Sequence, residues 1–156
     1  MSVFFVDGSA HPNPGPGGFG VIEISENKPV FAYTKQCEQT TNNREELKAI
    51  LWVMLTQGKH ITDWYGGVPA VYSDSAYSIN TLTEWMFNWA KNGWLKSDNK
   101  PPENLDLIQA YYNHYQDGYR IDLIKVKGHS TSEWNNLVDL LATGKITTEE
   151  VLNAKY

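Results

Sequence analysis

The sequence predicts an α/β fold: a five-stranded mixed sheet flanked by helices. Three observations carry this. Val3-Phe4-Phe5-Val6 runs straight into Asp7-Gly8-Ser9, and the same order of residue types returns at Ala70-Val71-Tyr72-Ser73-Asp74-Ser75. Two further strand patterns follow the first after short connections rich in turn formers. Between them and the repeated word lies a segment of helical periodicity, able to cross the sheet and bring residues 70–74 back parallel to the first strand.

Phe and Val suit a pleated, buried surface, so residues 3–6 read as a central strand. His11 to Gly18, dense in Pro, Gly and Asn, reads as a connection. Phe19 to Ile24 is the second strand, Glu26-Asn27-Lys28-Pro29 turns the chain, and Val30 to Lys35 is the third, giving an antiparallel meander. Asn42-Asn43-Arg44-Glu45-Glu46 opens a helix with an Asx cap candidate and acids in its first turn. Leu47, Ile50, Leu51, Met54 and Leu55 form its core-facing stripe. Glu46, four residues before Ile50, lies on or beside that stripe, and Glu45 falls on the solvent side. After the fourth strand, Ala70 to Asp74, Ser75 to about Leu82 reads as a short helix. Trp85 and Trp89 suggest another, ending near Gly93. Trp94 to Pro102 is a polar loop. Glu103 to Tyr115 is helical with Leu105, Ile108 and Tyr112 inward, and Tyr119 to Val126 is the fifth strand. Lys127-Gly128-His129-Ser130-Thr131 is a loop. The last long helix runs from Ser132 to about Thr143 on Trp134, Leu137, Val138 and Leu141, with Asp139 on its flank. Thr147 and Glu150 carry a capping-box pattern for a small terminal helix. No repeat or linker divides the chain, so residues 1–156 are expected to form a single domain.

The totals narrow the class of function. A chain of 156 residues with 41 % hydrophobic and 20 % charged residues has the composition of an ordinary globular protein. No run reaches membrane-spanning length and no secretory signal is visible, so no membrane partner is expected. The single cysteine, Cys37, excludes an internal disulfide, and a reducing, cytoplasmic location is expected. The net charge of −5 runs against strong nucleic-acid binding, which draws mostly on Lys and Arg, unless a local basic patch compensates.

Four acids stand out by context: Asp7 and Asp74 at strand ends, Glu46 and Asp139 beside apolar helix stripes. Parallel, adjacent strands would bring Asp7 and Asp74 to one end of the sheet, where two carboxylates repel unless a cation joins them. An all-carboxylate cluster is a ligand set for hard cations such as Mg²⁺ or Mn²⁺, and paired ions of that kind cleave phosphodiesters. His129, in a Gly-containing loop, suits proton transfer near neutral pH. Each residue also has an ordinary reading. Asp74 would cap the following helix, Glu46 would favour a helix dipole, Asp139 would be a solvated flank residue and His129 a loop histidine. The residues alone leave both readings open.

Asp7-Gly8-Ser9 with Asn13-Pro14-Gly15-Pro16-Gly17-Gly18-Phe19-Gly20 closely resembles the opening of type 1 ribonucleases H. So do Thr40-Thr41-Asn42-Asn43-Arg44-Glu45-Glu46-Leu47, Tyr72-Ser73-Asp74-Ser75 and Lys127-Gly128-His129, and Trp85…Trp89…Gly93-Trp94 looks like that family's substrate-gripping protrusion. The blocks keep the family's order and span nearly the whole chain. The resemblance implies the ribonuclease-H-like fold, with strands 1–3 antiparallel and strands 4–5 parallel. It also implies a monomeric endonuclease that cuts the RNA strand of an RNA/DNA hybrid to 3′-hydroxyl and 5′-phosphate ends. Asp7, Glu46, Asp74 and Asp139 match the family's metal-binding acids, for two Mg²⁺ (or Mn²⁺) ions in the substrate complex. Asp7 would bridge the pair, and His129 matches an auxiliary loop histidine. Asn13, Asn42 and Asn43 match RNA contacts, Thr41 and Asn104 a DNA-phosphate pocket, and Tyr77 and Trp85 the channel for the DNA backbone.

Four departures bear on substrate grip. Asn135-Asn136 stands where Asn-Glu usually precedes the last acid. Residue 76 is alanine where a longer polar side chain is common. The protrusion has only Lys91, Lys96 and Lys100, with Ala90 at a position often basic. The chain is acidic overall. Two other functions compete: a nuclease of the same fold with another substrate, as in resolvases, integrases or DnaQ-like exonucleases, and a non-catalytic nucleic-acid-binding module.

Overall fold

A computed structural model describes residues 2–63, 67–126 and 133–155. Its main sheet has five strands: β1 (Val3–Ala10), β2 (Gly15–Ser25), β3 (Lys28–Thr40), β5 (Ala70–Ser73) and β7 (Asp122–Lys125). Their order is β3-β2-β1-β5-β7, with β1–β3 antiparallel and β5 and β7 parallel to β1. A two-stranded ribbon pairs β4 (Lys59–His60) with β6 (Tyr119–Arg120). The helices are α1 (Asn42–Gln57), α2 (Ala76–Asn80), α3 (Met86–Lys91), α4 (Leu105–Gln116), α5 (Glu133–Ala142) and α6 (Thr148–Asn153). This is the mixed sheet that the strand pattern and short connections led us to expect.

Side-chain alternation along β1 and β2 divides the core in two. Phe4, Val6, Phe19 and Val21 face one layer, with Leu47, Ile50, Val53 and Met54 of α1, Met86 and Ile108. Phe5, Ile22 and Ile24 face the other, against Val138 and Leu141 of α5 and Val151 of α6. Helices on both faces thus converge on β1, and the polar end of β1 emerges between them.

Several elements differ from expectation. β2 begins at Gly15 and β3 runs on to Thr40, so much of the expected connection is strand. A Cβ on Gly17 would stand 2.1 Å from the Ser9 carbonyl oxygen, so this glycine serves close strand approach rather than a turn. The expected fifth strand is split at Ile121 into β6 and β7, which join different sheets. The two expected helices between Ser75 and Gly93 form one run, in which a π-helical turn over Thr81–Trp85 joins α2 to α3. In α1 the N-cap is Thr41, whose hydroxyl accepts from Arg44 N, because Asn42 is already helical and its side chain is spent on the Ala10 amide. Leu55 is exposed, Val53 takes its place in the stripe, and Glu45 is fully buried rather than solvated. In α4 the buried residues are Ile108 and Tyr111, and Tyr112 packs partly buried against Trp94. The Thr147–Glu150 capping box forms as expected.

Candidate active site

Asp7 lies in the last part of β1, at a position where a side chain is buried on the sheet. Asp74 follows the last residue of β5, the strand parallel to β1. Register places Phe5 opposite Tyr72, so the two chains reach their aspartates side by side. Glu46 enters from the N-terminal part of α1, just after its first turn. The approach depends on Gly8: a Cβ there would sit 2.3 Å from the Glu45 carbonyl carbon and from Glu46 N. Because Gly8 has no side chain, the start of α1 presses against β1 and puts Glu46 beside Asp7.

Carboxylate oxygens of Asp7, Glu46 and Asp74 all lie within 4.8 Å of one another. Asp7 and Glu46 are buried, at 4 % and 8 % exposure, and Asp74 is half-buried. Asp139, exposed on α5, stands at the margin, near enough to hydrogen-bond Asp7 and to act on Asp74 through its charge. Of the four acids singled out in the sequence, the structure thus gathers Asp7, Glu46 and Asp74 into one cluster and leaves Asp139 at its edge. His129 lies outside the described residues, as do its loop neighbours 127–132.

Burial pushes the Asp7 carboxyl up to about 7, and the charges of Asp74 and Asp139 push the same way. Glu46 is raised well above its ordinary range, first by burial and then by the charge of Asp7. The two side chains are close enough to hydrogen-bond, so each acts on the other's protonation. Asp74 is raised by burial and by Asp139, against the pull of an Asn135 side-chain hydrogen bond and the Lys125 charge. Asn135, buried on α5 one turn before Asp139, is a site residue that the sequence reading left without a role. Its signal was a polar residue among the apolar residues of the α5 stripe.

The donor set fits a divalent hard cation. All donors are carboxylate oxygens, and buried Glu46 Oε2 finds no hydrogen-bond donor among the described residues. A consequence for stability follows. Folded Asp7 keeps a proton that the unfolded chain, with a value near 3.8, has already released. Its stabilising contribution is therefore complete below about pH 4 and lost as pH rises through about 7. Metal-free protein is expected to melt higher at pH 5 than at pH 8, by on the order of 2 kcal/mol of stability. Asp106, held low by its Arg44 hydrogen bond, acts in the opposite sense, but only in more acidic solution. Saturating divalent ion should remove the slope, since bound carboxylates stay ionised. Thermal melts across that pH range, in EDTA and in excess Mg²⁺, check both statements.

The residues matched to substrate contacts form two groups beside the acids. Asn13 Oδ1 accepts from Asn42 N at 3.1 Å, and Asn42 Oδ1 accepts from Ala10 N at 2.6 Å, so α1 is tied to the end of β1. Asn43 is exposed next to them. In the second group Asn104 Nδ2 donates to the Tyr77 hydroxyl at 3.3 Å, and Arg44 Nη1 reaches Asn104 Oδ1 at 3.4 Å. Arg44 also forms a two-pronged pair with Asp106, at 3.0 and 2.7 Å, and donates its backbone N–H to Thr41. Arg44 is thus the joint between Thr41 and Asn104, a function not anticipated. Trp85 is 37 % exposed, with its ring centroid 6.2 Å from that of Trp89. Trp89 and Trp94 pack, partly buried, against the core.

The RNase H family model matches residues 1–147. The ribonuclease H of Thermoanaerobacter sp. (strain X514) is 38% identical over 97% of this chain and 93% of its own length. That of Caldanaerobacter subterraneus subsp. tengcongensis is 41% identical over 91% and 88%. Ribonuclease HI of Rickettsia prowazekii is 37% identical over 96% and 94%. Among solved structures, LC9-RNase H1, described as a type 1 RNase H with the type 2 active-site motif, superposes with a TM-score of 0.72 at 23% identity, covering 99% of this chain and 77% of that one. The RNase H domain of PFV superposes at 0.70, with 21% identity and 92% of each chain covered. With its acids gathered at the end of a mixed sheet and a family match over nearly its whole length, the chain belongs to the ribonuclease H family.

Proposed function

We infer that the chain is an endonuclease hydrolysing the RNA strand of RNA/DNA hybrids, leaving 3′-hydroxyl and 5′-phosphate ends. The observation that carries this is the convergence of Asp7, Glu46 and Asp74 at the mouth between β1, β5 and α1, with Asp139 at its rim. Asp7, Glu46, Asp74 and Asp139 would hold two divalent ions, Mg²⁺ in the first instance and Mn²⁺ as a substitute. Such ions lower the pKa of an attacking water and stabilise the departing 3′-oxygen. The protein's own part is to fix the carboxylates and present the RNA strand. Asn13, Asn42 and Asn43 would meet the RNA strand, whose 2′-hydroxyls distinguish it from DNA. Thr41 and Asn104 would hold a DNA phosphate, while Tyr77 and Trp85 would line the path of the DNA backbone. His129 would assist proton transfer. Residues 1–156 act as one domain in this reading, as a cytoplasmic monomer. No described helix is long and apolar enough to cross a membrane.

Cleavage of a strand-labelled hybrid, run beside single-stranded RNA, duplex RNA and duplex DNA in Mg²⁺, Mn²⁺ or EDTA, tests the reading. Metal-dependent cutting of only the hybrid's RNA strand is the expected result. Hybrid binding without cutting would make this a non-catalytic module, and cutting of another duplex would keep the acids but replace the substrate.

Substrate grip should be weak for the family. The protrusion's cations are Lys91, Lys96 and Lys100, and Lys96 Nζ already lies 3.7 Å from Asp98. Fewer phosphate contacts release fewer counterions, so the fall of hybrid affinity with salt should be shallow. Binding titrations at several salt concentrations, beside a strongly basic ribonuclease H, measure the two slopes. Equal slopes would mean that the acidic charge has no bearing on the interface.

A further inference from the structure

Glu45 takes no part in the chemistry above, yet it is among the most deeply buried side chains, at 0 % exposure. Its neighbour Glu46 turns into the acid cluster, and Glu45 turns to the end of β3. There Thr40, itself 5 % exposed, donates its hydroxyl to Glu45 Oε2 at 2.7 Å, and Lys48 Nζ pairs with the same oxygen at 2.8 Å. Oε1 has no hydrogen-bond partner among the described residues. Stability alone gives a weak reason for this arrangement. Lys48 keeps 26 % of its side chain exposed, and an ion pair whose acid is buried with an unmet lone pair is often matched or bettered by apolar residues of similar volume.

Its place suggests another role. The peptide between Glu45 and Glu46 lies against the Gly8 backbone on one side, where there is no room for a Cβ. On the other side the Glu45 side chain anchors that peptide to β3. The peptide is therefore held between two strands, and Glu46 hangs from it. Some restraint is needed, because Asp7, Glu46 and Asp74 crowd within 4.8 Å, and mutual repulsion drives the first turn of α1 away from β1. We propose that Glu45 is a positioning residue: the hydrogen bond from Thr40 ties the start of α1 to the end of β3, with Lys48 balancing the buried charge from within α1, so that the Glu46 carboxylate is aimed at Asp7 and Asp74 before a divalent ion arrives. The inference rests on the reading of those three acids as ion ligands.

The test is Mn²⁺ binding by the whole chain without substrate, read by water-proton relaxation, alongside thermal melts in EDTA. In the double variant Glu45→Met/Lys48→Met an apolar pair fills the same space but has no acceptor for Thr40. Its Mn²⁺ dissociation constant should rise about tenfold, as when support behind a metal ligand is removed, while it still melts cooperatively. Thr40→Val deletes only the hydroxyl and should weaken Mn²⁺ binding several-fold in the same direction, which keeps the proposal open to test if the double variant does not fold. Glu45→Gln retains an acceptor for Thr40 and should bind Mn²⁺ better than the double variant. A lowered melting temperature with Mn²⁺ affinity unchanged in the double variant or Thr40→Val would overturn the inference, leaving the network merely structural. Asp7→Asn separates the two layers of argument. If it binds Mn²⁺ as well as the parent chain, or if the parent binds none, the ligand assignment falls and takes this inference with it. If Asp7→Asn is impaired and the Glu45 and Thr40 variants are not, only the positioning role falls.

Discussion

Asp7→Asn is expected to cut hybrid cleavage by roughly a thousandfold or more, several kcal/mol of transition-state stabilisation, while the chain stays folded. The substitution keeps the size and polarity of the side chain and removes the charge at the centre of the cluster. Asp7 is the acid whose environment reports on all the others: Glu46, Asp74 and Asp139 each act on its protonation. A neutral amide there would remove one of the carboxylates that would hold the divalent ions. The same change relieves repulsion in the metal-free protein, so Asp7→Asn should melt as high as the parent chain in EDTA, or higher, at pH 8. It should also lose most of the stabilisation that millimolar Mg²⁺ confers, because ligand-linked stability requires binding to the folded state. Opposite movements of activity and metal-free stability are the signature of a carboxylate retained for metal rather than for folding. Asp74→Asn should behave alike, Asp139→Asn should be severe, and His129→Ala should only slow turnover. An active Asp139→Asn enzyme would mean that the exposed acid on α5 is not the fourth ligand. Single-turnover cleavage together with paired melts in EDTA and Mg²⁺ checks the set.

Much of this site was legible because its acids interrupt patterns that physics otherwise enforces. Asp7 ends an apolar strand word, Asp74 ends its repeat, and Glu46 and Asp139 border helix stripes. The antiparallel β1–β3 and the parallel β5 beside β1 followed from short connections and one helical crossover, whereas the parallel fifth strand came only with the family resemblance. What could not be read lay in tertiary partners. Glu45 looked solvent-facing by helical phase, but Thr40, whose position depends on where β3 ends, meets it in the interior, with Lys48 one turn along the helix at the same oxygen. Asn42 looked like a cap, but the Ala10 amide claims its side chain, and Thr41 caps instead. Gly15 to Gly18 looked like a turn because glycine signals both turning and close approach, and only the β1–β2 register separates the two. Asn135 offered nothing beyond polarity in an apolar stripe until Asp74 was found beside it. Local pattern thus located the acids, while most of the contacts that place them are made in the tertiary fold.

The substitution that separates position from ligand identity is Gly8→Ala, which leaves every acid in place. An added Cβ would meet the Glu45 carbonyl carbon and Glu46 N at 2.3 Å and the Glu45 oxygen at 2.7 Å, all of them backbone atoms. No rotamer relieves such a contact, so either β1 or the first turn of α1 must move by about an ångström, at a cost of about 3 kcal/mol in this close-packed layer. Both Thr41, which caps α1, and Asn42, which ties it to Ala10, resist the shift. Relaxation should therefore fall on the short stretch carrying Glu45 and Glu46. Displacement of that size at a reacting centre lowers turnover by about a hundredfold. Gly8→Ala should accordingly lose both stability and rate, with a raised Mg²⁺ requirement, because Glu46 no longer converges on Asp7 and Asp74. Denaturant unfolding and Mg²⁺-dependent cleavage on the same preparation measure the two losses together. Parent-like turnover in a destabilised variant would show that the cluster tolerates movement of Glu46, and that Asp7 and Asp74 on the parallel strands suffice to place the ions.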